Sequence, residues 1–403
     1  MPFRLALSGL NAAQTDLTVT ANNVANVATT GFKGSRAEFA DLFAATQLGV
    51  SATAIGNGVR VADVAQQFSQ GNIDFTDNSL DLAVSGNGFF AMNDGGAISY
   101  TRAGAFQVNN QGFVVNSRQQ RLQVYPPLPN GGFNTGGLSD LNLTTGVSAP
   151  QATTTVDITA NLPSAAAVPA TTPFDPADPT SYNNTTSLTV YDSLGAAHTA
   201  SLYFRKTAAN SWVSHLYVDG TNVGSTPLTY NAAGQLTAPV GGTFTFPAHP
   251  VTTGASPITM TVDYGSTTQF GENFTVNSTT QDGFTTGRLI GIDIDSSGVV
   301  QARFTNGRSN ALGKIAMANF ANPQGLQQLG DTAWAETFAS GQAQRGEAGN
   351  SGFGLIQAGA LEASNVDITE QLVSMITAQR NFQANAQMIS TADAIQQTII
   401  NIR

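Results

Sequence analysis

Apolar residues recur at alternating spacings of three and four at both ends of the chain. Near the N-terminus the series consists of Phe3, Ala6, Leu10, Ala13, Leu17, Thr20, Val24 and Val27. Near the C-terminus it consists of Ile368, Leu372, Met375, Gln379, Phe382, Ala386 and Ile389. This spacing is typical of the seam along which the helices of a coiled coil pack. We therefore predict two terminal helices that pair with each other and with further copies of the chain.

Start and stop signals bound the two predicted helices. The first is expected over about residues 3–27, because Thr29, Thr30 and Gly31 end the apolar pattern. Asp367 precedes the C-terminal seam and Glu370 follows three residues later, which is the arrangement of a capping box. The second helix is therefore expected to begin directly after Asp367.

Strand patterns fill most of the chain between the predicted helices. Short alternating stretches separated by turn residues predict a β-rich inner domain over residues 71–145 and 286–363. Proline and glycine at 126–132 indicate a boundary, and a threonine-rich stretch over 146–285 then predicts an outer all-β domain, either a sandwich or a barrel.

The remaining segments complete the predicted fold class. Residues 1–28 and 364–403 are assigned to the helical domain, and residues 29–70 to an irregular connector. The predicted fold is α + β and multidomain. Its terminal helices pair as a coiled coil, and its mainly-β inner and outer domains are nested because the inner domain is discontinuous.

Composition narrows the classes of protein that fit this fold. Only 10% of residues are charged, whereas about a quarter is usual. Such a surface suits contacts with identical neighbours, although a secreted β-rich protein has the same bias. The net charge of −10 argues against nucleic-acid binding. The chain has no cysteine, and no apolar run approaches the roughly 18 residues that span a bilayer.

Candidate catalytic and metal sites are weak. Asp293 to Gly298 matches the first half of a calcium loop, but Phe304 stands where the bidentate glutamate is required, so a hairpin turn is favoured. The three histidines, His198, His215 and His249, are not at metal-ligand spacings. No nucleophile elbow, phosphate loop or dinucleotide fingerprint occurs. We predict no cofactor, no metal and no enzymatic activity.

Each end of the chain carries a long motif. These are Ser8–Ala13 with ANNVANVATTGFKGSRAEFADLF (Ala21–Phe43) near the N-terminus, and GALEASNVDITEQLVSMITAQRNFQANAQMIS (Gly359–Ser390) near the C-terminus. Both motifs resemble those at the ends of bacterial flagellar rod and hook subunits. In the middle, LTVYDSLGAAHTASLYF (Leu188–Phe204) and ANFANPQGLQQLGDTAWAETFASG (Ala318–Gly341) resemble hook-type members. A distal rod subunit would lack most of the additional β domain.

The resemblance implies a structural subunit of the flagellar hook. Such subunits polymerise into a flexible tube of parallel protofilaments, a universal joint that transmits torque from rod to filament at the cell exterior. The implied partners are further copies, the distal rod, the hook cap scaffold, the hook–filament junction protein and the type III export gate, without nucleic acid or membrane insertion. Alternatives are a distal rod protein of the basal body, or an extracellular adhesin or glycan-binding β protein, which would not need both seams.

Two sets of residues are candidates for function. The predicted assembly interface comprises Phe3, Leu10, Leu17, Val24, Val27, Ile368, Leu372, Met375, Phe382 and Ile389. The segment FADLF resembles the motif by which rod and hook-type substrates engage the export gate, which makes Phe39 and Phe43 export candidates; the alternative is an apolar anchor for the connector. Arg4, Ser8 and Gly9 interrupt the apolar core that a cleaved signal peptide needs, so the protein either stays in the cytoplasm or leaves by a route that does not remove the N-terminus. The resemblance implies the second route, export through the flagellar type III apparatus without cleavage.

Overall fold

The two terminal helices begin and end close to where the seams place them. A computed structural model describes residues 2–42, 56–143 and 146–401. Helix α1 spans Pro2–Ala25 and helix α2 spans Ile368–Asn401. The Asp367 carboxylate accepts hydrogen bonds from the backbone N–H groups of Thr369 (2.7 Å) and Glu370 (3.2 Å). These bonds satisfy donors of the first helical turn, so the predicted N-cap is confirmed.

Strands occupy much of the described chain between the helices, together with one short 3-10 helix at Pro323–Gly325. The strands are β1 (Ser35–Asp41), β2 (Val59–Gln66), β3 (Ile73–Phe75), β4 (Leu82–Ser85), β5 (Phe89–Asp94), β6 (Ala97–Thr101), β7 (Gln107–Val108), β8 (Val114–Val115), β9 (Arg121–Tyr125), β10 (Ser139–Asp140), β11 (Val147–Ser148), β12 (Thr155–Asn161), β13 (Asn184–Tyr191), β14 (Ala197–Ala208), β15 (Ser211–Val218), β16 (Thr221–Tyr230), β17 (Leu236–Ala238), β18 (Thr243–Thr245), β19 (Thr261–Asp263), β20 (Thr275–Gln281), β21 (Gly287–Ile294), β22 (Val299–Phe304), β23 (Ser309–Asn319), β24 (Gln327–Gly330), β25 (Ala333–Ala335), β26 (Gln344–Glu347), β27 (Leu355–Ala358) and β28 (Ala360–Glu362).

Contacts between residues divide the chain into two units. Unit one comprises Met1–Thr144, Gly291–Arg303 and Ser309–Arg403. Unit two comprises Thr145–Ile290 and Phe304–Arg308. Both helices and the ends of the chain therefore belong to unit one.

Unit one is built on a sheet in which β22, β23, β9, β5, β6, β25 and β24 are successive neighbours. Consecutive side chains of β5 enter different cores, because residues of a strand face alternate sides. Phe90 packs with Leu122 and Ile315, whereas Phe89 packs with Trp334 and other aromatic side chains. Both faces of this central strand are thus covered.

The segment 29–70 is not the irregular connector that the sequence predicts. Within it, β1 and β2 pair antiparallel, with Ser35 opposite Gln66 and Asp41 opposite Val59. The alternation of apolar and polar residues is weak here, because in these strands only Ala37 and Ala65 are buried. That prediction is wrong at these positions. Residues 43–55, including Phe43, lie outside the described residues.

Two predicted hairpins are present. Asn109 to Gly112 joins β7 to β8, with Val108 opposite Val114. At the candidate calcium loop, the Asp295 carboxylate accepts the backbone N–H groups of Ser297 (2.9 Å) and Val299 (3.0 Å), and it thereby forms the turn between β21 and β22. The hairpin interpretation of this segment is confirmed.

Unit two consists of two sheets that share one apolar core. One sheet has the order β13-β14-β15-β16-β17, and the other has the order β18-β19-β12-β20. Burial alternates strictly along β15, which places Trp212, Leu216 and Val218 inside. Ile158 and Val262 of the second sheet belong to the same core. This arrangement is a sandwich, one of the two architectures that the strand pattern predicts.

Two buried tyrosines make the stability of unit two sensitive to alkaline pH. The Tyr230 hydroxyl hydrogen-bonds with Thr267 Oγ1 (2.9 Å), and the Tyr264 hydroxyl with Ser214 Oγ (3.0 Å). Burial raises the pKa of Tyr230 from an ordinary value of 10.0 to about 12, and burial also raises the pKa of Tyr264. The unfolded chain ionises first, so stability is full below pH 10 and is expected to fall as pH rises towards 12.

This expectation can be measured by denaturant unfolding of the full chain at a series of pH values. The variants Tyr230→Phe and Tyr264→Phe should each show a shallower loss of stability above pH 10 than the wild type. Tyr182→Phe, at a half-buried tyrosine of the same unit, serves as the control. A wild-type stability that stays constant from pH 9 to 12 would contradict the prediction.

Candidate assembly interface

Helices α1 and α2 pack antiparallel within unit one. Asn23, near the end of α1, donates a hydrogen bond from Nδ2 to Gln371 Oε1, near the start of α2 (3.0 Å). Gly9, near the start of α1, lies so close to Asn385 that a Cβ atom added to the glycine would be 2.5 Å from the asparagine Oδ1. A larger residue at position 9 would therefore require the Asn385 side chain to move.

On α1 the small members of the seam are buried and the large ones are only partly covered. Ala6, Ala13 and Thr20 are buried. The predicted interface residues Leu10, Leu17, Val24 and Val27 are half-buried, and Phe3 is 48% exposed. Val27 lies in the turn after the helix, which ends at Ala25.

On α2 the covered face is offset from the predicted seam. Met375, Phe382 and Ile389 are half-buried and share a face with Gln371 and Asn385, whose side chains lie against α1. Ala378 is fully buried at the centre of this face, whereas Gln379, which the seam places there, is exposed.

The predicted residues Ile368 and Leu372 at the start of α2 stay exposed in the single chain, and so does Ile376, which is not part of the predicted seam. Ile368, Leu372 and Ile376 follow one another at intervals of four, and they are 48%, 46% and 50% exposed. Residues four apart lie on one side of a helix. We call these three residues the Leu372 stripe. Further along α2, Met388 and Ile395 are 52% and 56% exposed and flank a shallow apolar hollow.

Asn23 connects three elements at the end of α1. Its side chain is 3% exposed, its Nδ2 donates to Ser35 O (2.7 Å), and its Oδ1 accepts the Ser35 N–H (2.9 Å). Together with the bond to Gln371, these contacts tie α1 to β1 and to α2. From the sequence Asn23 belongs to a polar face with poor helix propensity. A signal for Asn23 was present in the sequence: an asparagine, which is unfavourable inside a helix, occurs close to the helix end.

A buried group of charges fixes the segments that follow α1 and precede α2. Glu362, at the end of β28, lies 2.6 Å from Lys33 Nζ through Oε1 and 3.2 Å from Arg102 Nη1 through Oε2. The side chains of Lys33 and Glu362 are 0% exposed and that of Arg102 is 5% exposed. We call these three residues the Glu362 cluster. It carries one excess positive charge away from water.

The backbone holds further polar atoms of the Glu362 cluster, although the buried Nε of Arg102 has no hydrogen-bond partner. Lys33 Nζ donates to Ser69 O (2.7 Å), Arg102 Nη2 donates to Gly86 O (2.8 Å), and the Gly71 N–H donates to Glu362 Oε1 (3.0 Å). Burial lowers the pKa of Lys33, and the neighbouring Glu362 opposes this effect. The segments that contain Lys33, Gly71 and Arg102 thus meet the segment of Glu362 at its carboxylate.

The export candidates are placed only in part. Phe39 lies on β1 and its side chain is 42% exposed. Phe43 is outside the described residues. Among the described residues, no three His, Asp or Glu side chains are arranged to hold a metal ion, and neither helix has a stretch apolar enough to cross a membrane.

Family profiles match both ends and the middle of the chain. They are described as Flagella basal body rod protein (residues 3–33), Flagellar hook protein FlgE/F/G D1 domain (83–161), Flagellar basal body protein FlaE D2 domain (161–284) and Flagellar basal body rod FlgEFG protein C-terminal (357–402). The flagellar hook protein FlgE of Salmonella typhimurium is 40% identical over 418 residues, covering 100% of both chains. The chain belongs to the flagellar hook protein family.

Further relatives agree with this family. The hook protein FlgE of Escherichia coli is 40% identical over 417 residues and also covers 100% of both chains. The crystal structure of Helicobacter pylori flagellar hook protein FlgE2 has a TM-score of 0.55 at 13% identity, and the match covers 72% of this chain and 100% of that one. The similarity to the Helicobacter pylori structure shows a shared fold. The predicted resemblance to hook-type subunits is confirmed, and hook proteins belong to the flagellum.

Proposed function

We propose that this member of the hook protein family polymerises into the flexible tube of the flagellar hook, the universal joint that transmits torque from rod to filament. The observation that carries the proposal is the exposed Leu372 stripe on a terminal helix. Exposed apolar side chains at such regular spacing are stabilised once a neighbouring copy covers them. In the polymer, the terminal helices therefore provide the cohesive contacts along which torsional load passes.

The proposed architecture places the helices as a coiled coil and nests the β domains. The helical domain comprises residues 1–28 and 364–403, and the inner domain comprises 71–145 and 286–363. The outer domain comprises 146–285. Support comes from the antiparallel contact between α1 and α2 and from the division of the chain near residues 144 and 290. The surface offers few charges for fixed ion pairs, which suits contacts that must shift as the tube bends.

The test of this function is electron microscopy of the purified full chain under polymerising conditions. Hollow tubes are expected, with helices at their inner wall. A version that lacks residues 1–28 and 364–403 should stay unpolymerised while its β domains remain folded by circular dichroism. Tubes of normal strength from this truncated chain would overturn the proposal.

We further propose that the protein is structural without enzymatic activity, and that it is exported to the cell exterior by the flagellar type III apparatus without signal cleavage. Its partners would be further copies, the distal rod, the hook cap scaffold, the hook–filament junction protein and the export gate. The partly exposed Phe39 supports a recognition role for the segment that contains it.

Export can be tested with the double variant Phe39→Ala, Phe43→Ala. We expect the amount secreted by flagellated cells to fall at least tenfold, about 1.4 kcal/mol of recognition free energy, while the purified protein keeps its thermal stability. Leu42→Ala, at a neighbouring exposed apolar residue, is the matched control. Unchanged secretion of the double variant would show that this patch serves as an anchor instead.

A further inference from the structure

One end of the five-stranded sheet in unit two contains a histidine between two carboxylates. His198 Nδ1 lies 2.6 Å from Asp219 Oδ2, and His198 Nε2 lies 3.4 Å from Asp192 Oδ2. The histidine side chain is 9% exposed and that of Asp192 is 0% exposed. Asp192 begins the turn between β13 and β14, and Asp219 begins the turn between β15 and β16. The histidine therefore joins two neighbouring turns.

The buried carboxylate of Asp192 has few free acceptor positions, because other donors also bind it, whereas the Asp219 side chain is 49% exposed. Asp192 Oδ1 accepts the backbone N–H groups of Leu194 (2.9 Å) and Ala196 (2.8 Å), and its Oδ2 accepts the Thr253 hydroxyl (2.7 Å). Burial disfavours the charged form of Asp192, but these hydrogen bonds outweigh burial and lower its pKa to about 2. Asp192 is thus ionised, and through Thr253 it also holds a third segment.

The geometry selects one protonation state of the ring. An ionised carboxylate only accepts hydrogen bonds, so a ring with a carboxylate at each nitrogen satisfies both contacts only if both nitrogens carry a proton. The neutral ring would direct a lone pair at one of the two carboxylates. A second histidine, His249, lies close enough to Asp219 to influence its titration electrostatically.

We propose that protonated His198 is a latch that ties together the turns at residues 192–196 and 219–220 and the loop at Thr253, and that this end of unit two loosens when His198 loses its proton. The latch is intrinsic to the folded chain and does not depend on assembly. It makes the rigidity of this end respond to the pH of the surrounding medium, in the direction of tighter closure towards acid.

The direction of the pH dependence follows from the groups that face the His198 ring. Burial lowers the pKa of His198, but its hydrogen bonds to Asp219 and Asp192 and their negative charges outweigh burial and raise the pKa above 6.5. A raised histidine pKa gives stability that is complete below 6.5 and is lost as pH rises through the folded-state pKa. The pKa values of Asp192 and Asp219 are lowered, so their contribution is lost only in stronger acid.

Because the chain has only three histidines, nuclear magnetic resonance with labelled histidine can follow each of them in the full-length protein. His198→Gln identifies the His198 signal. We expect His198 to titrate above 6.5 and above His215, whose pKa is lowered by burial and by Arg205. Asp219→Asn should move the His198 midpoint downwards, whereas Asp157→Asn, at an exposed carboxylate of the same unit, should leave it in place.

Hydrogen exchange provides the second measurement, because the latch holds particular amides. The Thr199 N–H donates to Asp219 Oδ1 (2.9 Å), and the Ala196 N–H donates to Asp192 Oδ1. After correction for the intrinsic rate, their protection should fall severalfold as pH rises through the His198 midpoint, and His198→Gln should remove this dependence. A midpoint at or below 6.5, or protection that does not change across the titration, would overturn the latch.

Discussion

Replacing Glu362 by glutamine is expected to lower the free energy of unfolding of unit one by about 3–5 kcal/mol. The reason is that Lys33 and Arg102 would both stay buried without a counter-charge. The neutral amide keeps the shape of the glutamate, so the loss reports on charge and not on packing. Because Lys33 follows α1 and Glu362 precedes α2, the ends of the chain should also lose their fixed position.

Denaturant unfolding of the full chain measures this effect, and limited proteolysis near residues 29–33 reports on the position of the ends. The matched control is Glu38→Gln, which removes the partner of Arg36 in a pair whose side chains are 67% and 43% exposed. An exposed pair contributes about 0–1 kcal/mol, so the control should unfold almost as the wild type does. Equal losses in the two variants would contradict the role assigned to burial.

Charges placed on the Leu372 stripe are expected to abolish tube formation while the single chain stays folded. In the double variant Leu372→Asp, Ile376→Asp, both substituted residues are about half exposed in the single chain, so the free energy of unfolding should change by less than about 1 kcal/mol. In the polymer each carboxylate would be buried without a partner, at several kcal/mol per charge.

Electron microscopy and sedimentation of the variant under polymerising conditions give the outcome. Gln383→Asp introduces the same charge at an exposed polar position of α2 and should permit assembly. Normal tubes from the double variant would exclude the stripe from the interface. Failure of the Gln383→Asp control would instead indicate a general sensitivity of α2 to added charge.

Local signals in the sequence were enough to locate the helices and many strands. The N-cap at Asp367 and the turns near Gly112 and Asp295 depend on residues a few positions apart. These local structures could therefore be predicted directly from the sequence. The seam predicted which segments pair. It did not predict which side of α2 meets α1, because an antiparallel contact between amide-rich helices favours small residues such as Ala378.

Apart from the pairing of the two terminal helices, the contacts between distant parts of the chain escaped prediction. Lys33 and Glu362 are separated by 329 residues, and although each lies in one of the two terminal motifs, nothing in either motif indicates that they pair. The pairing of β1 with β2 was missed because both strands expose side chains on both faces and lack a clear period. Physical reasoning from sequence therefore finds the elements, whereas the connections that fix the ends need the folded chain.

The burial of the Glu362 cluster also determines how the protein responds to the salt content of the surrounding water. Dissolved salt weakens attractions between charges that face the solvent, over a distance of about 8 Å at physiological ionic strength. Lys33 and Glu362 are fully enclosed, so ions cannot reach them. Transfer from fresh water to brine should therefore leave the attraction between these charges unchanged.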